Sequence, residues 1–398
     1  MEEFDYQEKL TQAEIRLTEF LAEQIRNSAT YFGYPEIPQN NDLSILGISG
    51  LAKLHLNNAG DPSVHGNAKM HTKEFEKEVL DFVAKLYDLE SYWGYITSGG
   101  TEGNLYGLYM GREYFTQKNK KPFFLFSSSS HYSIPKNAHL LNVDAFQVNC
   151  DGSGEMNYKN LTEKIKSINT KHKEYGLIIN LNIGTTMTGA MDELSEIHNV
   201  LDELHIPKED VYIHADAALM GFIYPFLSSK EDLFANGVSS IAISGHKFPG
   251  TIHPCGVLLA NKSMHDATFQ DANWIPYLEA NDTTISGSRN GFLALNFWYI
   301  IQKKGVNGFK EEAMTCIENA QYLYNSLNEM NYPDVAYNAD QLIVTFEKPC
   351  DEIVQKYQLA TQGNKAHIVV MQHISKHKID QFCTLLKSTS QNLELVKG

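Results

Sequence analysis

The chain has 398 residues and a mass of 44.9 kDa, too long for one small module and long enough for a catalytic domain with an appendage. Its 42% apolar and 20% charged residues supply ample core-forming surface and argue against wholesale disorder. The 33 Lys and Arg against 48 Asp and Glu leave a net charge of −15, which repels phosphate backbones and anionic lipid, so neither a nucleic-acid nor a membrane partner is expected.

The start, Met1-Glu2-Glu3-Phe4-Asp5, is acidic where a secretory leader would be basic, and no stretch approaches the roughly 18 to 20 apolar residues of a bilayer span. A cytoplasmic location is expected. Cys150, Cys255, Cys316, Cys350 and Cys383 lie far apart with no Cys-x-x-Cys pair, so they read as reduced and structural, and no metal centre is expected.

In residues 8–28, Leu10, Ala13, Leu17, Phe20 and Leu21 recur at helical spacing, which predicts an amphipathic helix that needs a surface to cover. Residues 31–62, rich in Gly, Pro and Asn, predict an irregular arm. From about 72 to 260, apolar runs at 122–126, 145–148, 176–181, 211–215, 240–244 and 256–260 alternate with helical patterns such as 105–115, 160–171 and 192–204. Runs such as Leu177-Ile178-Ile179 and Ile241-Ala242-Ile243 are nearly continuous, as expected of parallel strands covered on both faces. The fold class is α/β, with a mainly parallel sheet and helices on both faces. Beyond residue 305 the rhythm changes to helix 309–330, strand 342–346, a further helix, strand 367–371 and helix 376–386, a smaller α+β unit. The expected division is 1–70 for helix and arm, 71–304 for the large domain and 305–398 for the small one.

Chemistry gathers where these runs end. Lys247, in Ser244-Gly245-His246-Lys247-Phe248-Pro249-Gly250, directly follows the run 240–244; burial there lowers an amine's pKa and makes it a nucleophile. Read alone, Lys247 is equally a strand-end lysine reaching solvent. Asp216 ends the run in Tyr212-Ile213-His214-Ala215-Asp216, and an acid there needs a cation, such as the protonated ring nitrogen of pyridoxal phosphate. The alternatives are a turn cap, or a His214–Asp216 metal pair that lacks further ligands at telling spacing. The glycines of Thr97-Ser98-Gly99-Gly100-Thr101-Glu102-Gly103-Asn104 precede a helix and let backbone amides approach a phosphate, without the Gly-Lys-Ser/Thr of a nucleotide loop or the spacing of a dinucleotide fingerprint. His131 after the run 122–126 is placed to stack on a flat ring or to cap a helix, and Thr185 closes the run 176–181. All lie at carboxyl ends of strands, where open α/β sheets bind ligands.

Taken in order, TSGGTEGN, SSHYSIPKNAH, NIGTTMTGAMD, HADAAL, SGHKFPG and SGSRNG (286–291) resemble the group II pyridoxal-phosphate amino-acid decarboxylases, in the histidine decarboxylase and plant-type serine decarboxylase branch, over roughly residues 50–385. The resemblance implies a fold type I enzyme like aspartate aminotransferase, with a seven-stranded-type sheet, that converts an L-amino acid to its amine and carbon dioxide. It implies that Lys247 holds the cofactor covalently, Asp216 pairs with the ring nitrogen, and His131 and Ala218 flank the ring. Gly100, Thr101, Ser244 and His246 would grip the phosphate, and Thr185 would approach the phenolic side. Two chains would share each site in a homodimer, with Ser286 and Ser288 reaching the neighbour's phosphate. Tyr277 is the candidate proton donor, and Tyr34, Asn57 and His71 are candidate substrate residues; each is also readable as packing or turn. The four arginines, Arg16, Arg26, Arg112 and Arg289, all lie outside the C-terminal part, which disfavours the aromatic and glutamate branches. Histidine is placed narrowly ahead of serine as substrate, aspartate is third, and an aminotransferase is the alternative class.

Overall fold

The computed structural model describes residues 2–38, 48–51, 53–66, 68–270, 272 and 274–397. A seven-stranded sheet holds β1 (Tyr92–Thr97), β2 (Lys121–Ser127), β3 (Asp144–Val148), β4 (Tyr175–Asn182), β5 (Val211–Asp216), β6 (Val238–Ser244) and β7 (Gly256–Asn261), in the order β1-β7-β6-β5-β4-β2-β3. Neighbours from β6 through β3 run parallel, and β7 is antiparallel to both β6 and β1.

Alternation along each strand explains the continuous apolar runs. Leu177, Ile179 and Leu181 join Ile213, Ile241 and Ile243 in one core, while Ile178, Tyr212 and Phe124 join a second core on the opposite face. The helices α3 (Lys73–Leu86), α4 (Gly100–Thr116), α5 (Ser133–Leu140), α6 (Tyr158–Lys171), α7 (Leu194–Glu203) and α8 (Lys262–Thr268) accompany the sheet, after α1 (Glu2–Ser28) and α2 (Ile48–Leu51) at the start of the chain. All six apolar runs read from the sequence are strands. The strand β1 was not among them, because Gly94 interrupts its aromatic pattern; a Cβ there would lie 2.2 Å from Leu258 O, so the close approach of β7 demands glycine.

A short hairpin, β8 (Trp274–Ile275) with β9 (Ala280–Asn281), leads to α9 (Gly291–Glu329). This helix starts well before the expected position 309 and is broken at Gly305, whose φ of 57° and ψ of −175° are non-helical. A second sheet orders β10 (Ala336–Tyr337), β11 (Ile343–Glu347), β13 (Lys365–Val369) and β12 (Ala360–Gln362), with α10 (Asp351–Lys356) and α11 (Lys376–Lys397) completing this part. Its core contains Val344, Ile368 and Phe382 together with Phe32 from the arm. The arm is fastened here: Phe32 N–H donates to Tyr357 O at 3.2 Å and Val369 N–H to Phe32 O at 3.0 Å. Residues 39–47 of the expected arm lie outside the described residues. The predicted amphipathic helix is present as α1, and its Leu17, Phe20 and Leu21 are 67, 57 and 59% exposed. The five cysteines are free. Among the described residues no helix is long and apolar enough to cross a membrane.

Candidate active site

The carboxyl ends of β4, β5 and β6, the start of α4 and the arm enclose a cavity of about 380 Å³. Ten residues singled out in the sequence line it: Lys247, Asp216, His131, Gly100, Thr101, Thr185, Ala218, Ser244, His246 and Tyr34. Strand order explains the convergence, since Asp216 pairs with Asn182 of β4 and Ala242 of β6, and Lys247 follows three residues beyond Ser244, the last paired residue of β6.

At one end of the cavity Gly99 adopts a φ of 147°, which only glycine reaches readily, and α4 begins. The first backbone bond of this helix runs from Gly103 N–H to Gly99 O, so the earlier amides have no helical acceptor. A Cβ on Gly100 would meet Ser244 Oγ at 2.9 Å and Ala218 Cβ at 3.0 Å, so the glycine keeps a cradle open between a hydroxyl and the helix start. His246 lies beside it, its Nδ1 2.9 Å from Cys255 O.

At the other end Asp216 accepts hydrogen bonds from Asn104 Nδ2 at 3.0 Å and from Ala218 N–H at 3.2 Å. Lys247 is surrounded by protein except where it faces the cavity; burial pushes its pKa below the ordinary lysine value, against the opposing charges of Asp216 and Glu36. Burial likewise lowers the pKa of His131, opposed by Asp216. Ser133 N–H donates to His131 Nδ1 at 3.2 Å, which leaves the ring proton on Nε2. Thr185 Oγ1 is 3.0 Å from Thr188 Oγ1.

Five candidates lie outside this cavity in their own chain. Tyr277 is 81% exposed between β8 and β9. Asn57 donates through Nδ2 to Ser288 Oγ at 3.1 Å, and both line a different surface cleft with His253. Ser286 O accepts from Thr284 Oγ1 at 3.1 Å, away from Lys247. His71 packs edge-to-face on His65 with ring centroids 5.2 Å apart.

Sequence reasoning passed over Glu36, Asn104, Asn182, Met187 and His367, which also line the cavity. Asn104 was findable, one helical turn after Gly100 and so on the same face of α4. Glu36 follows Tyr34-Pro35 and accepts from Tyr31 O–H at 3.0 Å through Oε2. His367 carries no local signal: β13 brings it between Gly33 O (Nε2, 3.0 Å) and Met187 O (Nδ1, 3.2 Å).

A cradle for a phosphate, a buried amine, an acid beyond it and an imidazole on the wall fit pyridoxal phosphate and define a site for that cofactor. The pyridoxal-dependent decarboxylase conserved domain matches residues 43–348. Serine decarboxylase 3 of Oryza sativa subsp. japonica is 43% identical over 333 residues, 83% of this chain and 72% of that protein. The histidine decarboxylase of Solanum lycopersicum is 38% identical, covering 92% of this chain and 86% of that protein. Among solved structures, L-methionine decarboxylase from Streptomyces sp. 590 superposes with a TM-score of 0.84 at 24% identity, covering 96% of this chain and 94% of that one, a likeness of fold. The chain belongs to the group II pyridoxal-phosphate-dependent amino-acid decarboxylases, related to the histidine and serine decarboxylases. Its cofactor is pyridoxal phosphate, and its reaction releases carbon dioxide from an amino acid to leave the amine.

Proposed function

We propose that the substrate is a small L-amino acid with an uncharged, hydrogen-bonding side chain, serine before histidine, and that two copies of the chain share each site. The observation that carries the substrate class is the charge lining the cavity: Glu36, Glu102 and Asp216 face it, Lys247 is its lone lysine and no arginine lines it among the described residues. Glu102 is engaged by Tyr95 O–H at 3.0 Å and Ser98 N–H at 2.8 Å, and Asp216 by Asn104 and Ala218. Glu36 has Oε2 on Tyr31 and, among the described residues, no hydrogen bond at Oε1. A second carboxylate on the substrate side chain would meet repulsion there, which disfavours aspartate. The rice relative's higher identity supports serine, reversing the order expected from sequence; the tomato relative's broader coverage favours histidine as the second reading. Family membership stands against an aminotransferase.

Bound pyridoxal phosphate supplies the electron sink for the pair left when carbon dioxide departs. In this reading Lys247 would give the cofactor its covalent anchor, and burial, by lowering its pKa, eases loss of the proton that a nucleophilic amine must shed. Gly100, Thr101, Ser244 and His246, which line the cavity, would hold the phosphate, Asp216 would pair with the ring nitrogen, and His131, Ala218 and Thr185 would surround the ring. The arm residues Tyr34 and Glu36 wall the substrate from water.

The shared site is supported by two placements. Ser286, Ser288, Asn57, His71 and Tyr277 are all away from the cavity of their own chain, so their roles toward cofactor, substrate or proton delivery need a second copy. The exposed apolar stripe of α1 offers such a copy a surface.

Incubation of the reconstituted protein with each of the twenty amino acids, scored for amine products by mass, tests the reading. Ethanolamine is the expected major product and histamine the second; a dominant product from an acidic or large aromatic amino acid would overturn it.

A further inference from the structure

The HxD pair of β5, unpersuasive as a metal site, belongs to a buried chain of side chains ending on Asp216. Tyr212, His214 and Asp216 alternate along the strand and therefore project from one face, toward α4. Ser240 of β6 lies opposite His214 in the strand register. Tyr212 Oη is 2.7 Å from Ser240 Oγ, Ser240 Oγ is 2.8 Å from His214 Nδ1, His214 Nε2 is 3.0 Å from Asn104 Oδ1, and Asn104 Nδ2 is 3.0 Å from Asp216 Oδ2. Tyr212, Ser240, His214 and Asn104 are each no more than 2% exposed, so water does not substitute for any link.

The direction of every bond follows from the carboxylate outward. A carboxylate only accepts, so Asn104 turns its N–H₂ to Asp216 and its oxygen to His214. That oxygen only accepts, so His214 carries its proton on Nε2, and its Nδ1 then accepts from Ser240 O–H. Ser240 oxygen in turn accepts from Tyr212 O–H. All donors point one way, toward Asp216, an arrangement in which each bond polarises the next. The backbone makes room for it: a Cβ on Gly107 would fall 2.1 Å from His214 Nδ1, so glycine at that position lets α4 lie against the ring.

We propose that His214, held by Ser240 and Tyr212, is a positioning residue that locks the Asn104 amide with its N–H₂ facing Asp216, and so fixes the carboxylate for the ring nitrogen of pyridoxal phosphate. This rests on the cofactor reading above. Without a donor at position 214, the amide of Asn104 is free to rotate and present its oxygen to the carboxylate, which repels it. Asn104 also ties the relay to the other face of the site, since its Nδ2 lies 3.4 Å from Ser133 Oγ, which is 2.8 Å from His131 Nδ1.

The test uses the full-length protein reconstituted with pyridoxal phosphate and reads two quantities besides turnover: the dissociation constant of the cofactor and the protonation of its ring nitrogen by NMR of isotope-labelled cofactor. His214→Phe keeps a ring but no donor; it is expected to weaken cofactor binding roughly tenfold, the worth of one charge-assisted bond, and to shift the ring nitrogen toward its unprotonated signal. His214→Gln, which retains an amide donor, is expected to recover most of both. Ser240→Ala removes a single oxygen and moves the ring-nitrogen signal in the same direction by less, which keeps the test in force should His214→Phe misfold. Wild-type affinity and wild-type ring-nitrogen protonation in His214→Phe and Ser240→Ala would overturn the proposal. A wild-type protein that binds no pyridoxal phosphate would overturn the reading beneath it instead.

Discussion

Arg289 and Glu76 form an ion pair whose side chains are 5 and 0% exposed, joining the segment 286–291 to α3. Glu76 also accepts from Asn58 Nδ2 and Ile96 N–H, both at 2.8 Å, and Arg289 Nη2 donates to Gly60 O at 3.0 Å. One pair thereby fixes the places of Ser288, Asn57 and β1. Arg289→Ala leaves an unpaired buried carboxylate and is expected to cost roughly 3–5 kcal/mol. Combining it with Glu76→Ala removes the stranded charge but leaves Asn58 Nδ2 and Ile96 N–H without their acceptor, so the double is expected to recover only part of that loss. Urea unfolding of the two singles and the double checks it; strictly additive losses would contradict the coupling.

Glu36→Gln keeps an acceptor for Tyr31 O–H but removes the charge. If that charge excludes anionic side chains, competitive inhibition by L-aspartate strengthens about tenfold in the variant, while KM for serine changes far less. Equal shifts for both ligands would show that Glu36 only shapes the arm.

Desolvation pushes the pKa of His214 down to about 4 from 6.5. Between those values the unfolded chain holds the extra proton, so stability rises with pH through that window and is complete above it. Acidifying from pH 7 to pH 4 should therefore remove about 3 kcal/mol through this one group. In His214→Phe that limb of the stability curve should flatten; denaturant unfolding across pH, compared with wild type, measures the difference, and parallel curves would refute it.

If α1 covers a second copy, Leu17→Glu combined with Phe20→Glu replaces apolar contact by charge at two positions of one stripe. Sedimentation is expected to show a dimer giving way to monomer, with turnover falling in step. A double variant that sediments and turns over as wild type does would remove α1 from the interface.

How far the sequence reached depends on how each residue arrives at the site. Lys247, Asp216 and Thr185 each follow an apolar run, so strand ends and their chemistry are read together. The glycines at 99 and 100 announce themselves by conformational need. By contrast, Glu36 and His367 come to the cavity only because the arm crosses the second sheet, a contact between positions more than three hundred apart that no local pattern encodes. His214 was visible, but its purpose required knowing that Ser240 lies beside it and Gly107 below it. Helix α9 was truncated in the reading because Gly305, which breaks it, looks like a boundary in the sequence.

The wall made by Tyr34 and Glu36 hangs from β13 and its surroundings: Gly33 O lies on His367, Tyr31 O is 2.6 Å from His373 Nε2, and Phe32 sits in that sheet's own core. Wall and second sheet are thus one continuous piece of packing and hydrogen bonding, which also meets the large core through Ile343 and Val369. A substitution that shifts β13 is therefore felt at Tyr34 and Glu36, although neither belongs to that strand.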